Sequence, residues 1–343
     1  MERILLGKTG LEINRFGFGG IPIQRADEEQ AVKTVAHAIE KGVDFIDTSR
    51  VYTTSEERIG KALRLTGRKV VLASKSQSKT ADGIRKDLET SLQKLGVDCI
   101  DLYQCHFVKD EADYRKICSA GGALEGVLRA KAEGLVRHIG ITSHSLALLE
   151  KVLDDDIFET IMTCFSFLEP AAKEKLIPKA LGKNVGVIAM KSFSGGVIEN
   201  ADLALRYALS HPGIVIIPGV ESVELFDRNW AVYQNPAPLT DKDRQEIEKI
   251  CKQHEKTFCR RCDYCQPCSE NIPIQIVLGL SSALRRFGKG FLEKDWAIQA
   301  INNARNCTEC GECMTRCPYE LPIPKLIRKN LEWLDGQNFQ ECG

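Results

Sequence analysis

The sequence predicts an α/β protein, a (β/α)8 or TIM barrel followed by a small and mainly helical domain. Two observations carry this prediction. Short apolar and β-branched segments alternate with longer helical segments until about residue 233, as expected for parallel strands joined by crossover helices. Beyond that residue the alternation stops, and cysteines are concentrated in the last quarter of the chain. We therefore predict two domains, residues 1–235 and residues 236–343.

Eight segments are predicted as barrel strands because each is a nearly continuous apolar run, which is typical of strands buried on both faces. They comprise residues 15–19, 43–48, 70–76, 99–106, 136–143, 160–167, 185–191 and 213–220. The helices predicted between them include residues 28–41, 56–65, 81–95 and 202–210. Before the first strand, residues 3–5 and 11–14 flank Lys8-Thr9-Gly10, which predicts a hairpin at the bottom of the barrel.

After the barrel, Asn235-Pro236-Ala237-Pro238 is predicted to be a linker. Thr240 and Asp243 form a capping-box pattern, which predicts a helix ending near His254. Residues 274–305, between the two groups of cysteines, are predicted to be largely helical.

Composition excludes several classes of partner. The formal net charge is zero, from 47 basic and 47 acidic residues, which argues against a basic nucleic-acid-binding face. No apolar run approaches the about 20 residues that cross a bilayer. Met1-Glu2-Arg3 leads into ordinary amphipathic sequence and not into a signal peptide. We therefore expect a cytoplasmic protein with reduced thiols and no membrane partner.

Two regular runs of cysteine dominate the C-terminal region. They are Cys259, Cys262, Cys265 and Cys268, and Cys307, Cys310, Cys313 and Cys317, the last followed by Pro318. The second run has the spacing C-x2-C-x2-C-x3-C-P, with which bacterial ferredoxins bind [4Fe-4S] clusters. Zinc sites also use C-x2-C pairs, usually as two separated pairs around one metal. We predict two [4Fe-4S] clusters in preference to zinc, and therefore the movement of single electrons.

The ferredoxin resemblance also implies how the clusters share ligands, because the fourth cysteine of such a run ligates the other cluster. The implied sets are Cys259, Cys262 and Cys265 with Cys317, and Cys307, Cys310 and Cys313 with Cys268.

Polar residues with catalytic chemistry follow three neighbouring predicted strands. Asp47 ends the second strand and Tyr52 lies in the loop after it, while Lys75 and His106 end the third and fourth strands. In (β/α)8 enzymes catalysis takes place at the C-terminal ends of the strands. We therefore expect an acid, a phenol, an amine and an imidazole on one rim.

These four residues resemble the catalytic tetrad of the aldo-keto reductase family. Further similar segments are residues 6–10, 17–20, 44–49, 139–143 and 217–219. The resemblance covers residues 1 to about 233, and the remainder is similar to a subgroup that carries a C-terminal ferredoxin-like domain with two [4Fe-4S] clusters. It implies an oxidoreductase that reduces a small carbonyl, or oxidises an alcohol, with NAD(H) or NADP(H).

The resemblance also implies a role for each tetrad residue. Tyr52 would be the general acid and base, because a donor at the developing oxyanion lowers the barrier. Lys75 would bring the phenol pKa down from its free value near 10. Asp47 would hold Lys75 charged and oriented, and His106 would form a hydrogen bond with the substrate oxygen.

The expected cofactor contacts depart from the family pattern at several positions. Ser143 is followed by His144 where the family has Asn, and Met190 and Lys191 occupy the place of an aromatic residue that stacks on the nicotinamide. Met190 is also consistent with an ordinary core methionine.

The predicted adenosine end of the cofactor site contains Gly219, Glu221 and Asn229. Asn229 matches an adenine-contacting residue of the family. Glu221 lies near the place of a basic residue that binds the 2′-phosphate of NADP, which favours NAD(H).

Hydride transfer moves two electrons, whereas iron-sulfur clusters move one. Two roles of the clusters relative to the barrel site are therefore consistent with the sequence. The clusters are either structural or electron-transferring, with ferredoxin or another redox protein as a partner. The alternative function is an iron-sulfur electron-transfer protein that exchanges electrons with ferredoxin or flavin and whose barrel does not use nicotinamide.

Overall fold

The chain divides into two compact units, Met1–Asp243 and Arg244–Gly343. The computed structural model describes residues 2–261 and 264–336. The first unit contains all the predicted strands, and the second contains both cysteine runs.

The first unit is built around eight parallel strands, as predicted. An antiparallel hairpin of β1 (Arg3–Leu5) and β2 (Glu12–Asn14) precedes them. The parallel strands are β3 (Phe18–Gly19), β4 (Phe45–Asp47), β5 (Val71–Ser76), β6 (Ile100–Cys105), β7 (Val136–Thr142), β8 (Thr160–Cys164), β9 (Gly186–Met190) and β10 (Ile214–Ile216). Each strand pairs with the next in sequence, and a parallel bridge between Phe16 and Ile216 joins the two edges of the sheet.

Every parallel strand is shorter than its predicted segment. The apolar runs continue beyond the ladder because loop residues at the strand ends are also buried. Phe165 and Phe167, for example, follow β8 and are nearly inaccessible to solvent. The apolar pattern of the sequence therefore identifies the buried residues, whereas backbone hydrogen bonding sets the bounds of the strands.

Helices follow the strands of the first unit. They are α1 (Glu28–Lys41), α2 (Ser55–Thr66), α3 (Ala81–Leu95), α4 (Glu111–Cys118), α5 (Ala123–Ala132), α6 (Leu146–Asp154), α7 (Leu176–Gly182), α8 (Ala201–Leu209) and α9 (Val223–Gln234). The next helix, α10 (Asp241–His254), begins at the predicted capping box, where the Asp243 amide donates to Thr240 Oγ1 and the Thr240 amide donates to Asp243 Oδ2.

Two apolar layers hold the first unit together. The inner layer fills the space enclosed by the strands and includes Phe45, Ala73 and Leu102, while Leu6 and Ile13 from the hairpin region join it. The outer layer lies between strands and helices. Because side chains alternate along a strand, residues two positions after Ala73 and Leu102 also face the interior.

The second unit is helical. Its helices are α11 (Ile274–Leu278), α12 (Leu280–Phe287), α13 (Asp295–Arg305), α14 (Glu312–Thr315) and α15 (Ile323–Asp335). Its core combines aliphatic side chains, such as Val277 and Leu280, with Cys265. Within residues 2–261 and 264–336, every helix is too short or too polar to span a bilayer.

Gly60 provides a test of how tightly α2 packs against the end of α3. A Cβ at this position would lie 2.4 Å from the Lys94 carbonyl oxygen and 2.7 Å from the Leu95 carbonyl oxygen. Because the obstacle is backbone, Gly60→Ala should lower the free energy of unfolding by about 1–3 kcal/mol. Chemical denaturation measures this change.

Gly182→Ala is the matched control, since nothing lies within 4 Å of a Cβ at residue 182. It should leave stability unchanged or raise it by up to about 1 kcal/mol. Equal denaturation midpoints for the two variants would contradict the packing described here.

Candidate active site

The candidate site lies at the C-terminal ends of β4, β5 and β6. Asp47 is the last residue of β4, Lys75 lies one residue before the end of β5, and His106 directly follows β6. The parallel register aligns Asp47 with Ala73 and Lys75 with Gln104. The strands therefore bring the side chains of Asp47, Lys75 and Gln104 together.

A buried ion pair forms the centre of the site. Lys75 Nζ donates to Asp47 Oδ1 at 2.5 Å and to the Thr48 carbonyl oxygen at 2.6 Å, and the Lys75 and Asp47 side chains are only 1% and 3% exposed. Gln104 Nε2 donates to the other carboxylate oxygen at 3.3 Å. Burial lowers the pKa of Lys75, but Asp47 and Tyr52 outweigh it and raise that pKa above its usual value. Lys75 therefore stays an ammonium.

Tyr52 and His106 lie beside this ion pair. Lys75 Nζ is 4.9 Å from the centre of the Tyr52 ring. The Tyr52 and His106 rings meet edge to face, with their centres 5.9 Å apart. Burial, together with the charge of Lys75, holds the pKa of His106 well below its usual range, so the imidazole is neutral at pH 7. The structure thus places the four predicted catalytic residues side by side, while their roles stay predictions.

A second polar network supports β5 from outside the barrel. Ser74 and Ser76 flank Lys75 and face the opposite way; Ser74 Oγ donates to Glu56 Oε1 at 2.7 Å and Ser76 Oγ donates to Asp87. Glu56 is 1% exposed and also pairs with Arg50 from the loop that carries Tyr52. This network ties the strand of Lys75 to the loop of Tyr52.

Sequence reasoning missed this network. Glu56 lies in the first turn of a predicted helix, where acidic residues are common for reasons of helix electrostatics alone. A short hydroxyl residue on each side of Lys75 was the available signal. The pattern Ser-Lys-Ser in a buried strand requires partners on the helices behind it.

The predicted nicotinamide contacts lie around the ends of β7 and β9. Ser143 is buried and its hydroxyl donates to the Val108 carbonyl oxygen at 2.6 Å. Lys191 Nζ lies 3.1 Å from His144 Nε2, so these two departures from the family pattern contact each other. Met190 is partly buried and packs against the inner apolar layer. This position is consistent with a contact to the nicotinamide and with an ordinary core methionine.

The residues at the predicted adenosine end also have defined surroundings. A Cβ on Gly219 would lie 2.6 Å from Pro22 Cδ, so the close approach of these segments requires glycine. Glu221 accepts from Arg25 Nε at 2.9 Å and from Arg25 Nη2 at 2.7 Å. Asn229, in α9, is buried.

The Arg25–Glu221 pair weakens the preference for NAD(H) that Glu221 predicts. A lone carboxylate at this position favours NAD(H) because it repels the 2′-phosphate of NADP. The guanidinium of Arg25 compensates that charge, so Glu221 does not select between NAD(H) and NADP(H) by repulsion alone.

In the second unit, four thiols surround one cavity. Cys268, Cys307, Cys310 and Cys313 line it together with Arg316 and other residues. Burial raises the pKa of Cys307, and so do the neighbouring Cys268 and Cys310. Burial and Cys307, Cys310 and Cys268 raise the pKa of Cys313 in the same way. The four residues are one of the two ligand sets that the ferredoxin resemblance implies.

The other implied set is described only in part. Cys262 lies outside the described residues. Cys265 is buried in the core of the unit, and Cys259 and Cys317 pack against that core. Within the described ranges, no three ligand side chains are grouped so as to hold a single metal ion.

Residues 15–202 match the Aldo/keto reductase family, and the chain therefore belongs to this family of oxidoreductases. It is 30% identical over 217 residues to L-galactose dehydrogenase of Arabidopsis thaliana. The aligned region covers 58% of this chain and 67% of that protein. It is 25% identical over 217 residues to aldo-keto reductase YhdN of Bacillus subtilis, across 58% of this chain and 64% of that protein. The family match ends well before the cysteine runs.

Solved structures give the same result for the fold. The holo form of aldo-keto reductase AKR11C1 from Bacillus halodurans superposes with a TM-score of 0.62 at 23% identity, covering 73% of this chain and 96% of that protein. The apo form gives a TM-score of 0.59 at 25% identity over the same shares. The family match thus confirms the predicted family membership, and the solved structures confirm the barrel-like fold.

Glu56→Gln tests the network behind β5. It removes the charge that pairs with Arg50 while keeping the size of the side chain. Because Glu56 is buried, the variant should lose about 3 kcal/mol of unfolding free energy. This value is the lower end of the range for a broken buried ion pair, because the partner, Arg50, is 18% exposed. Thermal or chemical denaturation measures this loss.

The neighbouring Glu57→Gln is the control. Glu57 pairs with Lys61 on the surface, where ion pairs contribute little. We expect no measurable change for it. A Glu56→Gln protein as stable as the Glu57→Gln protein would contradict a structural role for the network.

Proposed function

We propose that this chain reduces the carbonyl group of a small molecule, or oxidises the corresponding alcohol, with a nicotinamide cofactor at the rim formed by Asp47, Tyr52, Lys75 and His106. The observation that carries the proposal is the buried Lys75–Asp47 ion pair beside a phenol and a neutral imidazole. Burying charge is costly, and this pair lies beside a phenol and an imidazole at the strand ends where (β/α)8 enzymes carry out catalysis.

Each residue has a distinct part in this proposal. Tyr52 donates a proton to the carbonyl oxygen as negative charge develops there, and takes it back in the reverse direction. The Lys75 ammonium favours the phenolate form of Tyr52. Asp47 keeps Lys75 charged and directed toward Tyr52. His106 forms a hydrogen bond with the substrate.

The residues near β7 and β9 fit a nicotinamide cofactor. When bound, NAD(H) or NADP(H) supplies or accepts the hydride. Ser143, His144, Met190 and Lys191 would hold its nicotinamide end, and Gly219, Glu221 and Asn229 its adenosine end. In support, the hydroxyl of Ser192, next to Lys191, is buried and lacks a hydrogen-bond partner among the described residues, so a polar ligand would satisfy it.

The substrate is proposed to be small and polar. The relative from Arabidopsis thaliana is named for dehydrogenation of L-galactose, and this name makes sugars and short hydroxyaldehydes the first compounds to test.

The second unit is proposed to hold two [4Fe-4S] clusters, within a domain that spans residues 236–343 after a barrel domain of residues 1–235. The four thiols around one cavity support the site formed by Cys268, Cys307, Cys310 and Cys313. The second site would use Cys259, Cys262, Cys265 and Cys317. The clusters supply one-electron chemistry when bound, with ferredoxin or another redox protein as partner.

A second candidate function keeps the clusters and drops nicotinamide from the barrel. The observation that favours it is the Lys191–His144 contact, which occupies the place of two usual cofactor contacts. In that case the protein would exchange electrons with ferredoxin or flavin.

Tyr52→Phe tests the first proposal. The change removes one hydroxyl and should lower kcat/KM for aldehyde reduction by about 10²–10⁴, the usual contribution of a general acid. Steady-state assays with NADH and NADPH against a panel of aldehydes and aldoses measure it. Tyr114→Phe is the control, because the Tyr114 hydroxyl binds Asp155 away from the rim. Full turnover by Tyr52→Phe would refute the assignment.

Cys310→Ala tests the proposed cluster site. Cys310 is exposed, so its loss should not disturb the core. Iron and sulfide analysis of protein purified without oxygen should fall from about eight to about four iron atoms per chain. Cys118→Ala removes another exposed thiol and should keep the full content. Zinc in place of iron, or equal iron in both variants, would contradict the proposal.

A further inference from the structure

Gln104 lies at the centre of the site without belonging to the tetrad. It is on β6, opposite Lys75 in the parallel register, and it is inaccessible to solvent. Gln104 Nε2 donates to Asp47 Oδ2 at 3.3 Å, while Lys75 Nζ binds the other carboxylate oxygen, Oδ1. Gln104 therefore supplies a hydrogen bond to the oxygen of Asp47 that Lys75 leaves open.

This hydrogen bond bears on whether Asp47 carries its charge. Burial raises the pKa of Asp47 above its ordinary value, while the Lys75 ammonium and the Gln104 amide act in the opposite direction. In a buried pair the proton can pass from the ammonium to the carboxylate, which leaves two neutral groups. A donor to the carboxylate favours the ionised form. Loss of the Gln104 amide would therefore weaken the positive charge that Lys75 presents to Tyr52.

The amide oxygen of Gln104 has a matching donor in the same row of the barrel. Gly140 on β7 pairs with Gln104 on one side and with Thr160 of β8 on the other. A Cβ on Gly140 would lie 2.3 Å from Thr160 Oγ1 and 3.0 Å from Gln104 Cγ, so both side chains border the space above this glycine. Gln104 Oε1 and Thr160 Oγ1 are both buried, and neither has a hydrogen-bond partner among the described residues.

These two atoms complement each other, because an amide oxygen accepts and a hydroxyl donates. One bridging water molecule, or a small rotation of the Thr160 side chain, joins them in a hydrogen bond. With its oxygen held on the side of Thr160, Gln104 turns its NH2 group toward Asp47. The hydroxyl of Thr160 therefore selects which end of the amide meets the carboxylate.

We propose that Gln104, held by Thr160, is a positioning residue that keeps the Lys75–Asp47 pair ionised, so that Tyr52 faces an ammonium. The catalytic meaning of this inference rests on the proposed function, in which Tyr52 is the proton donor. Gln104 acts through Asp47 and Lys75.

Two titratable groups border the ion pair. Tyr52 lies against the ammonium, and His106, which burial and the same ammonium keep neutral, meets the Tyr52 ring. On the opposite face of β5, Arg50 pairs with Glu56 and Asp87. The variants below leave all of these groups in place, so a change in the ionisation of Tyr52 reports a change in the ion pair.

The first measurement is the ionisation of Tyr52 in the full-length protein without substrate or cofactor. The ultraviolet absorbance of tyrosinate is followed against pH, and each protein is compared with its own Tyr52→Phe form. Gln104→Met keeps the length of the side chain and removes the donor. We expect about tenfold less Tyr52 phenolate than in the unmodified protein at the same pH, roughly the effect of one hydrogen bond to a charged group. Equal ionisation in the two proteins would overturn the inference.

The second measurement repeats this titration for variants of Thr160. Thr160→Val keeps the branched shape and removes the hydroxyl that holds the amide, so we expect about threefold less phenolate. Thr160→Ser keeps the hydroxyl and should behave as the unmodified protein. Thr163→Val is the matched control, because Thr163 is a buried threonine of the same strand whose side chain lies on the opposite face.

A Thr160→Val protein that titrates as Thr163→Val does would also overturn the inference, and this comparison decides alone should Gln104→Met not fold. Activity is a separate readout. Reduction needs protonated Tyr52, so the pH above which aldehyde reduction falls should be higher in Gln104→Met. Failure of the unmodified protein to reduce any aldehyde would count against the proposed function, whereas the titrations would still decide the role of Gln104.

Discussion

The buried ion pair between Lys75 and Asp47 is the interaction on which the site depends. An ammonium in the interior persists only where a carboxylate and further acceptors replace its lost water. The ends of β4 and β5 supply these groups, since Asp47 and the Thr48 carbonyl oxygen both accept from Lys75 Nζ. The ion pair in turn places a positive charge beside Tyr52. Burial lowers the pKa of His106, and the charge of Lys75 lowers it further, so His106 stays neutral.

The alternation of side chains along β5 gives this ion pair its support. Lys75 faces the interior, and Ser74 and Ser76 face α2 and α3, where Glu56 and Asp87 bind them. Arg50 connects the same carboxylates to the loop that carries Tyr52. A single strand therefore fixes the relative positions of the ammonium and the phenol.

Much of this arrangement follows from the sequence, because apolar periodicity identifies the eight strands and parallel strands bring their ends together. The pairing of Arg25 with Glu221 does not follow from the sequence. These residues are far apart in the chain and meet only in the folded structure. The position of the Gln104 amide beside Asp47 depends in the same way on side chains from two separate strands. The ligand sets of the cysteines were implied by resemblance, and one of them now has four thiols around a common cavity.

We propose that hydride passes directly from the nicotinamide cofactor to a carbonyl carbon at the Tyr52 rim. The measurement that tests it is the reduction of glycolaldehyde, without oxygen, by NADH and NADPH carrying deuterium at both C4 positions. Direct transfer puts deuterium on the carbinol carbon of the product, where NMR detects it. An alcohol with solvent hydrogen at that carbon, or reduction by dithionite-treated protein but by neither cofactor, would contradict it.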